Sequence, residues 1–485
     1  MIRRVSVISR FSWVIVATAL AGASAAVRLQ VQSLPATALR EDFDVLWKAI
    51  REAHGGLHRH ANPADLDSRV NAHRARLDKP MSVSEFAGRI SESIVELRDG
   101  HARLEFDSTM AAALAAAHVL PLRVAIEGDR LIVAYNDSPS DTTVHPGMEL
   151  VSINGRASSD IIRSLLPKVS GDGFIETGKR VRLARQLPQL HWLYIEQGNA
   201  YRVVARGESR TVSATLPGIL ERDRSQVNNA VNALIAANFA RLDGPRGNIA
   251  LELLDGRTAR LRVRAFDGEA FPANLDSAFR SLRDRGVTSL VLDLRGNGGG
   301  VDEYGALLVS YFVSAPFRYF DHIRVPSIAP SFATWPQRTF EAMRTGTVPD
   351  STGGFRLTRE RHGGVAEQPP AGTPFAGKVA VLVDGATFST AADVAAQLRS
   401  MGRATFVGEE TAGGYEGNTS GLNALIVMPN SRLRLRIMMY DYWNAVKPPA
   451  VKGRGIIPEH AVLRRVADIL RGSDPAMERA LSLLK

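Results

Sequence analysis

Two apolar runs that break off abruptly into turns constrain this chain more than any other feature. Val287 to Leu294 is almost wholly apolar and runs into Arg295-Gly296-Asn297-Gly298-Gly299-Gly300. Val379 to Val383 repeats the pattern and runs into Asp384-Gly385-Ala386-Thr387-Phe388-Ser389. Strands without polar alternation are buried on both faces, and helical stretches at Leu275 to Arg285 and Thr390 to Met401 accompany them, with a third strand at Ala404 to Val407. Buried strands separated by helices call for a layered α/β domain whose sheet is at least partly parallel.

Both strand ends are suited to chemistry. Glycines admit positive φ and let a ligand approach main-chain N–H groups, so the loop from Gly296 to Gly300 can build an anion or oxyanion pocket. A nucleotide is disfavoured, because neither the P-loop Lys-Ser/Thr ending nor the spacing of a dinucleotide fingerprint is present. Ser389 stands where a strand and turn give way to a helix, so its Oγ meets the free N–H groups and dipole of a helix N-terminus. The plainer role for such a serine is an N-cap.

Composition narrows the chemistry further. With 485 residues, 45% hydrophobic and 23% charged, the chain is ordinary globular material. At roughly 150 residues per domain, its length allows about three domains. It has no cysteine. Disulfides, thiolate nucleophiles and cysteine-based zinc or iron–sulfur sites are therefore excluded, and any nucleophile is an oxygen or an amine. The net charge of +10 includes Arg3, Arg4 and Arg10 at the N-terminus. Elsewhere Arg is scattered among acids rather than clustered, which argues against a nucleic-acid partner.

The opening segment carries an export pattern: Arg3-Arg4, an apolar stretch from Phe11 to Ala21, then Gly22-Ala23-Ser24-Ala25-Ala26. This is the layout of a signal peptide over residues 1–26, with no later stretch of spanning length, so the expected location is periplasmic or secreted. Residues 36–108 read as a helical domain, with Phe43, Leu46, Trp47 and Ile50 and then Phe86, Ile90, Ile94 and Leu97 at helical spacing. Its His54, His58 and His60 read as loop histidines, since no convincing set of metal ligands accompanies them. Residues 112–170 change to short strands and end in Pro146-Gly147 and Ile153-Asn154-Gly155-Arg156, followed by a helix, which resembles a PDZ domain. Such domains add a peptide as a strand and hold its C-terminal carboxylate. Residues 171–245 read as a connecting segment and the start of the core, and 246–470 as the core. Within it, Pro326 to Pro374 looks like a long surface excursion.

In order, Asp293-Leu294-Arg295-Gly296-Asn297-Gly298-Gly299-Gly300, Thr387-Phe388-Ser389 and Gly402 to Gly414 resemble the core of the tail-specific, or C-terminal processing, serine peptidases. Glu52-Ala53-His54-Gly55-Gly56-Leu57 and Leu97-Arg98-Asp99-Gly100-His101 resemble the helical N-terminal domain of the branch that includes the tricorn protease. Gly455-Ile456-Ile457-Pro458-Glu459-His460 resembles the Gly-Val-x-Pro-Asp element near the end of the core. The resemblance implies a core like the ClpP/crotonase fold, no cofactor or metal, and a polypeptide substrate that its C-terminus could help to recognise.

By the same resemblance Ser389 is the nucleophile, and the N–H of Thr390 with that of Gly298 or Gly299 forms the oxyanion hole. The lysine base of Ser/Lys relatives is missing, since its phrase reads Ala412-Gly413-Gly414-Tyr415. The tricorn-like branch takes its base from a histidine, here His101, whose ordinary titration range suits accepting and returning a proton. Lys452 stands in the place of the branch's orienting glutamate, which leaves Glu416, Asp441 or a backbone carbonyl as candidates. The expected function is an exported serine endopeptidase working through an acyl-enzyme. The alternative is a non-catalytic peptide- or lipid-binding protein on the same fold.

Overall fold

The computed structural model describes residues 33–485. The expected signal segment, residues 1–26, lies outside the described residues. Helices α1 (Ala36–Ala53) and α3 (Val83–Ile94) form where helical spacing predicts them, and α2 (Pro63–Ala75) lies between them. α1 buries Leu39, Phe43, Leu46, Trp47 and Ile50 on one face, and α3 buries Phe86, Ile90 and Ile94. Asn62 caps α2, and Ser82 with Glu85 makes a reciprocal capping box on α3, so orphan N–H groups at both starts are satisfied locally.

The next unit is a six-stranded antiparallel sheet. It contains β1 (Leu122–Glu127), β2 (Arg130–Asn136), β3 (Glu149–Ile153), β4 (Ala200–Arg206) and β5 (Thr211–Pro217), in the spatial order β5-β4-β3-β2-β1. Between β3 and β4 come helices α4 (Ser158–Leu165) and α5 (Glu176–Tyr194), and α5 packs along β1. Asn154 and Gly155 both have positive φ, as a tight two-residue hairpin requires. A boundary at residue 170 therefore cuts through one sheet: β3 pairs with β4, inside the stretch read from sequence as a connector. The alternation in β4 and β5 was hidden by the long helix between them and their partner.

The core opens with β6 (Ile249–Leu253), β7 (Thr258–Val263), α6 (Phe271–Asp284), β8 (Ser289–Asp293) and α7 (Asp302–Ser310). It continues through β9 (Phe320–Val325), β10 (Lys378–Val383), α8 (Thr390–Ser400) and β11 (Thr405–Gly408). The last strands are β12 (Thr419–Val427), β13 (Arg434–Asn444) and β14 (His460–Ala461). One sheet has the order β6-β7-β8-β10-β11-β14, parallel from β7 onward. Leu292 pairs with Val381 at its centre, and both are fully buried. The layered, partly parallel reading of the two apolar runs is what forms.

A second sheet, built on β9, β13 and β12, was not anticipated. The stretch from 326 to 374 contributes helix Gln337–Thr345 and strands Thr347–Pro349 and Phe355–Leu357, which extend this sheet through β9. It is more ordered than its proline and glycine content suggests, because strands of three residues leave no readable period. The N-terminal helices dock on this sheet. The Asp42 carboxylate accepts the N–H groups of Asn430 (2.8 Å) and Ser431 (2.7 Å). Gly55 donates its N–H to Met438 O at 2.9 Å. Leu104 and Glu105 add antiparallel to the start of β13.

Candidate active site

Both strand-end loops of the core are laced together by side chains that the sequence places within them. Asn297 joins three segments: its Nδ2 donates to Val263 O (2.8 Å), its Oδ1 accepts the Gly299 N–H (2.8 Å), and its carbonyl accepts the Phe388 N–H (2.9 Å). Asp384 Oδ1 accepts the N–H groups of Gly296 and Ala386, each at 3.0 Å. Thr387 Oγ1 donates to Leu294 O at 3.0 Å. The glycine loop is thus held rigidly against the residues leading to Ser389.

Ser389 occupies the N-cap position of α8 with φ 52 and ψ −134, and its side chain makes no capping hydrogen bond. The plain N-cap role therefore does not describe it. A non-glycine residue there carries roughly 1–3 kcal/mol of backbone strain, which the surrounding hydrogen bonds must hold in place. Strain at a strand-to-helix turn is the geometry that lifts a serine Oγ out of the sheet. Gly299 packs directly on this turn: a Cβ there would lie 2.7 Å from Ser389 Cβ and 3.0 Å from Thr390 N, at a φ of +100. The N–H of Gly299 is engaged by Asn297, whereas those of Gly298 and Thr390 make no hydrogen bond among the described residues.

The second half of the site comes from the N-terminal helical domain. Arg98, at φ 52, ends the turn after α3 and directs Asp99-Gly100-His101 toward the core. The His101 ring lies on Phe388, the residue before Ser389, with centroids 4.5 Å apart. Asp99 Oδ1 accepts the His101 N–H (2.7 Å) and lies 3.7 Å from His101 Nδ1. Its Oδ2 is 3.0 Å from His54 Nε2, and both of those side chains are buried. Burial alone would raise Asp99, but the neighbouring His101 and His54 rings outweigh it and hold the carboxyl well below its ordinary range.

Asp172, on the turn before α5, ties this segment to the core. Its Oδ1 accepts the Gly100 N–H (2.6 Å) and its Oδ2 the Gly414 N–H (3.3 Å). Burial pushes the Asp172 carboxyl up, against its attraction to His101, and Asp99 adds like-charge repulsion. Arg182 of α5 donates from Nη1 to Gly100 O (2.7 Å) and Ser170 O (2.9 Å). Asp99, His101 and Asp172 have ligand atoms within 4.8 Å of one another, a spacing that can hold a cation. Both carboxylates already accept N–H groups there, so the donors are committed to the fold.

Ser389, Thr390, Gly298 and Gly299, named from sequence, therefore lie together, and His101 reaches the same turn through Phe388. The two candidate orienting acids lie elsewhere. Asp441 pairs with Arg59 (2.9 Å) and accepts Trp443 Nε1–H (2.8 Å). Glu416 accepts the Gly453 N–H at 3.2 Å. Among the described residues neither contacts His101. Asp99 and Asp172 are the carboxylates beside it, and sequence reasoning singled out neither. Asp99 stood inside the His101 phrase, two residues from His101, where a local partner was the simplest choice. His54, just past the end of α1, is a packed loop histidine partnered by Asp99, while His60 is pushed down to about 4, by burial first and then by Arg59 and Arg98.

Fold and core together define a serine-type peptidase, a hydrolase, on a mixed α/β multidomain frame. Residues 257–462 match the family model of peptidase family S41, so the chain carries a domain similar to that family. Among solved structures, mature CPAF is 13% identical with a TM-score of 0.62, covering 93% of this chain and 97% of that one. Mature CPAF complexed with lactacystin is 14% identical with a TM-score of 0.63, covering 93% and 98%. The photosystem II D1 C-terminal processing protease is 16% identical with a TM-score of 0.43, covering 90% and 98%. No curated protein matches the chain.

Proposed function

We propose that this protein is an exported endopeptidase in which Ser389 is the nucleophile, His101 the general base and acid, and Asp99 the carboxylate that orients His101. The observation that carries this reading is the uncapped, strained Ser389 turn, with Gly299 packed on it and the His101 ring against Phe388. Ser389 Oγ attacks the peptide carbonyl carbon as its proton passes to His101. The oxyanion is met by the N–H groups of Gly298 and Thr390. His101 returns the proton to the leaving amine, and water then cleaves the acyl-enzyme by the same route in reverse. A hydrogen bond from Nδ1 to Asp99, 3.7 Å away, would leave Nε2 for the serine. A fluorophosphonate probe with mass mapping tests the reading: labelling at Ser389 is expected, and an unlabelled folded protein would overturn it.

Asp99→Asn should lower kcat by roughly 10²-fold or more with little change in KM, because it weakens the hold on the ring tautomer without touching substrate. Steady-state kinetics, with circular dichroism to verify folding, check this; an unchanged kcat would remove Asp99 from the mechanism. The non-catalytic alternative drew its support from the lysine at Lys452. With Asp99 beside His101, a carboxylate partner is supplied from another place.

Export is supported by the pattern of residues 1–26, and among the described residues no helix is long and apolar enough to cross a membrane. Recognition of a substrate's C-terminus is supported by β1, an edge strand with β2 as its one strand partner. If β1 receives chain ends, an unfolded substrate with a free apolar terminus is cleaved faster than its amidated form at low concentration, and equal rates would leave this sheet a spacer.

A further inference from the structure

A cleft of about 560 Å³ opens beside the site, with His101 and Phe388 on its wall. Its volume is that of a ligand-binding cleft, roughly 300–1,000 Å³. The charged side chains around it are unbalanced: Arg103, Lys168, Arg182 and Arg436 face a single acid, Glu105. Two of these cations have carboxylate partners, since Lys168 pairs with Glu92 and Arg436 with Glu105 at 2.8 Å. Arg103 and Arg182 have none within ion-pair distance among the described residues.

Arg182 is anchored by one nitrogen alone. Its Nη1 holds the carbonyls of Gly100 and Ser170, while Nε and Nη2 make no hydrogen bond among the described residues. Its guanidinium carbon lies 5.5 Å from the Phe388 ring centroid. Burial lowers the Arg182 guanidinium below its ordinary range; Asp172 and Asp99 pull it up, and Arg103 and Arg185 repel it. Both arginines line the cleft without an ion-pair partner, Arg182 keeps two nitrogens unengaged among the described residues, and a guanidinium fork matches a carboxylate in shape.

We propose that this cleft selects polypeptide segments carrying an acidic side chain close to the scissile bond, with Arg103 and Arg182 receiving the carboxylate. The proposal rests on the peptidase reading for its turnover but not for its binding. Apolar wall residues such as Ile94, Leu104 and Phe106 suit the flanking peptide. Specificity would come from charge complementarity, which discriminates between partners more than it adds affinity.

The test uses acetylated and amidated peptides that differ by Asp against Asn at one position, scanned over the three residues on each side of the cleaved bond. Turnover is read with the wild-type protein, and binding by fluorescence anisotropy with Ser389→Ala. At one or more positions the Asp peptide should bind about tenfold tighter, and the advantage should shrink at about 1 M salt, where the screening length is about 3 Å. Arg103→Glu, at an exposed side chain, should bring the Asp-to-Asn ratio to one or below, and Arg103→Lys should keep part of it. Equal binding of both peptides at every position, or a preference that survives Arg103→Glu, would overturn the proposal. A preference that appears only when the peptide's C-terminus is left free would also overturn it. Preferential binding without turnover by the wild type would overturn the peptidase reading and leave the cleft assignment standing.

Discussion

Ser389→Ala should reduce peptide hydrolysis by roughly 10⁴-fold or more, to the level that the oxyanion donors and binding alone sustain. The effect on stability should be small, for a reason specific to this turn. An N-cap serine would take about 1 kcal/mol of helix stability with it, but Ser389 makes no capping bond, so alanine loses none. Alanine also inherits the strained φ of 52, whereas glycine tolerates it. Ser389→Gly should therefore be equally inactive and more stable than Ser389→Ala by up to about 1 kcal/mol. Thermal denaturation and turnover of the three proteins check both halves. Retained turnover in either variant would end the mechanism; a glycine variant less stable than alanine would show that the turn is not strained as described.

Replacing His101 with alanine should cost roughly 10²–10⁴-fold in kcat, the range typical of a general acid–base group. Labelling of Ser389 by a fluorophosphonate should slow in parallel, because the same proton transfer activates the hydroxyl toward the probe. His101 also packs on Phe388, so the variant is best compared with His101→Gln, which retains bulk near the ring and cannot serve as a base. Both should fall to similar rates if proton transfer is what is lost. Recovery of most activity in the glutamine variant would reassign His101 to packing.

The parallel sheet was legible because β8 and β10 are buried on both faces and so carry no polar alternation, and because each ends in a turn of glycine and small residues. The Ser389 turn was legible for the same reason. β12 and β13 escaped notice: their long antiparallel ribbon is half-exposed on one side, and the N-terminal helices that cover the other side arrive from far away in sequence. The carboxylates beside His101 were not singled out for a related reason. Sequence order suggested a partner downstream, near Lys452 or in β13, whereas the side chain that reaches His101 is its near neighbour Asp99, directed there by the left-handed Arg98. The role of Asp172 depends on a three-way junction of Gly100, Gly414 and the start of α5, which no local pattern records.

The short pairing of Leu104 and Glu105 with β13 joins the segment that carries His101 to the core. In the proposed reading the nucleophile is a property of the core, but its proton acceptor is borrowed from a segment synthesised long before it. On the proposed mechanism, a molecule whose N-terminal helices have not yet docked presents a serine with nothing to take its proton. Activity then reports that the whole chain has come together, and a protein that cuts polypeptides stays quiescent while it is itself an unfolded polypeptide.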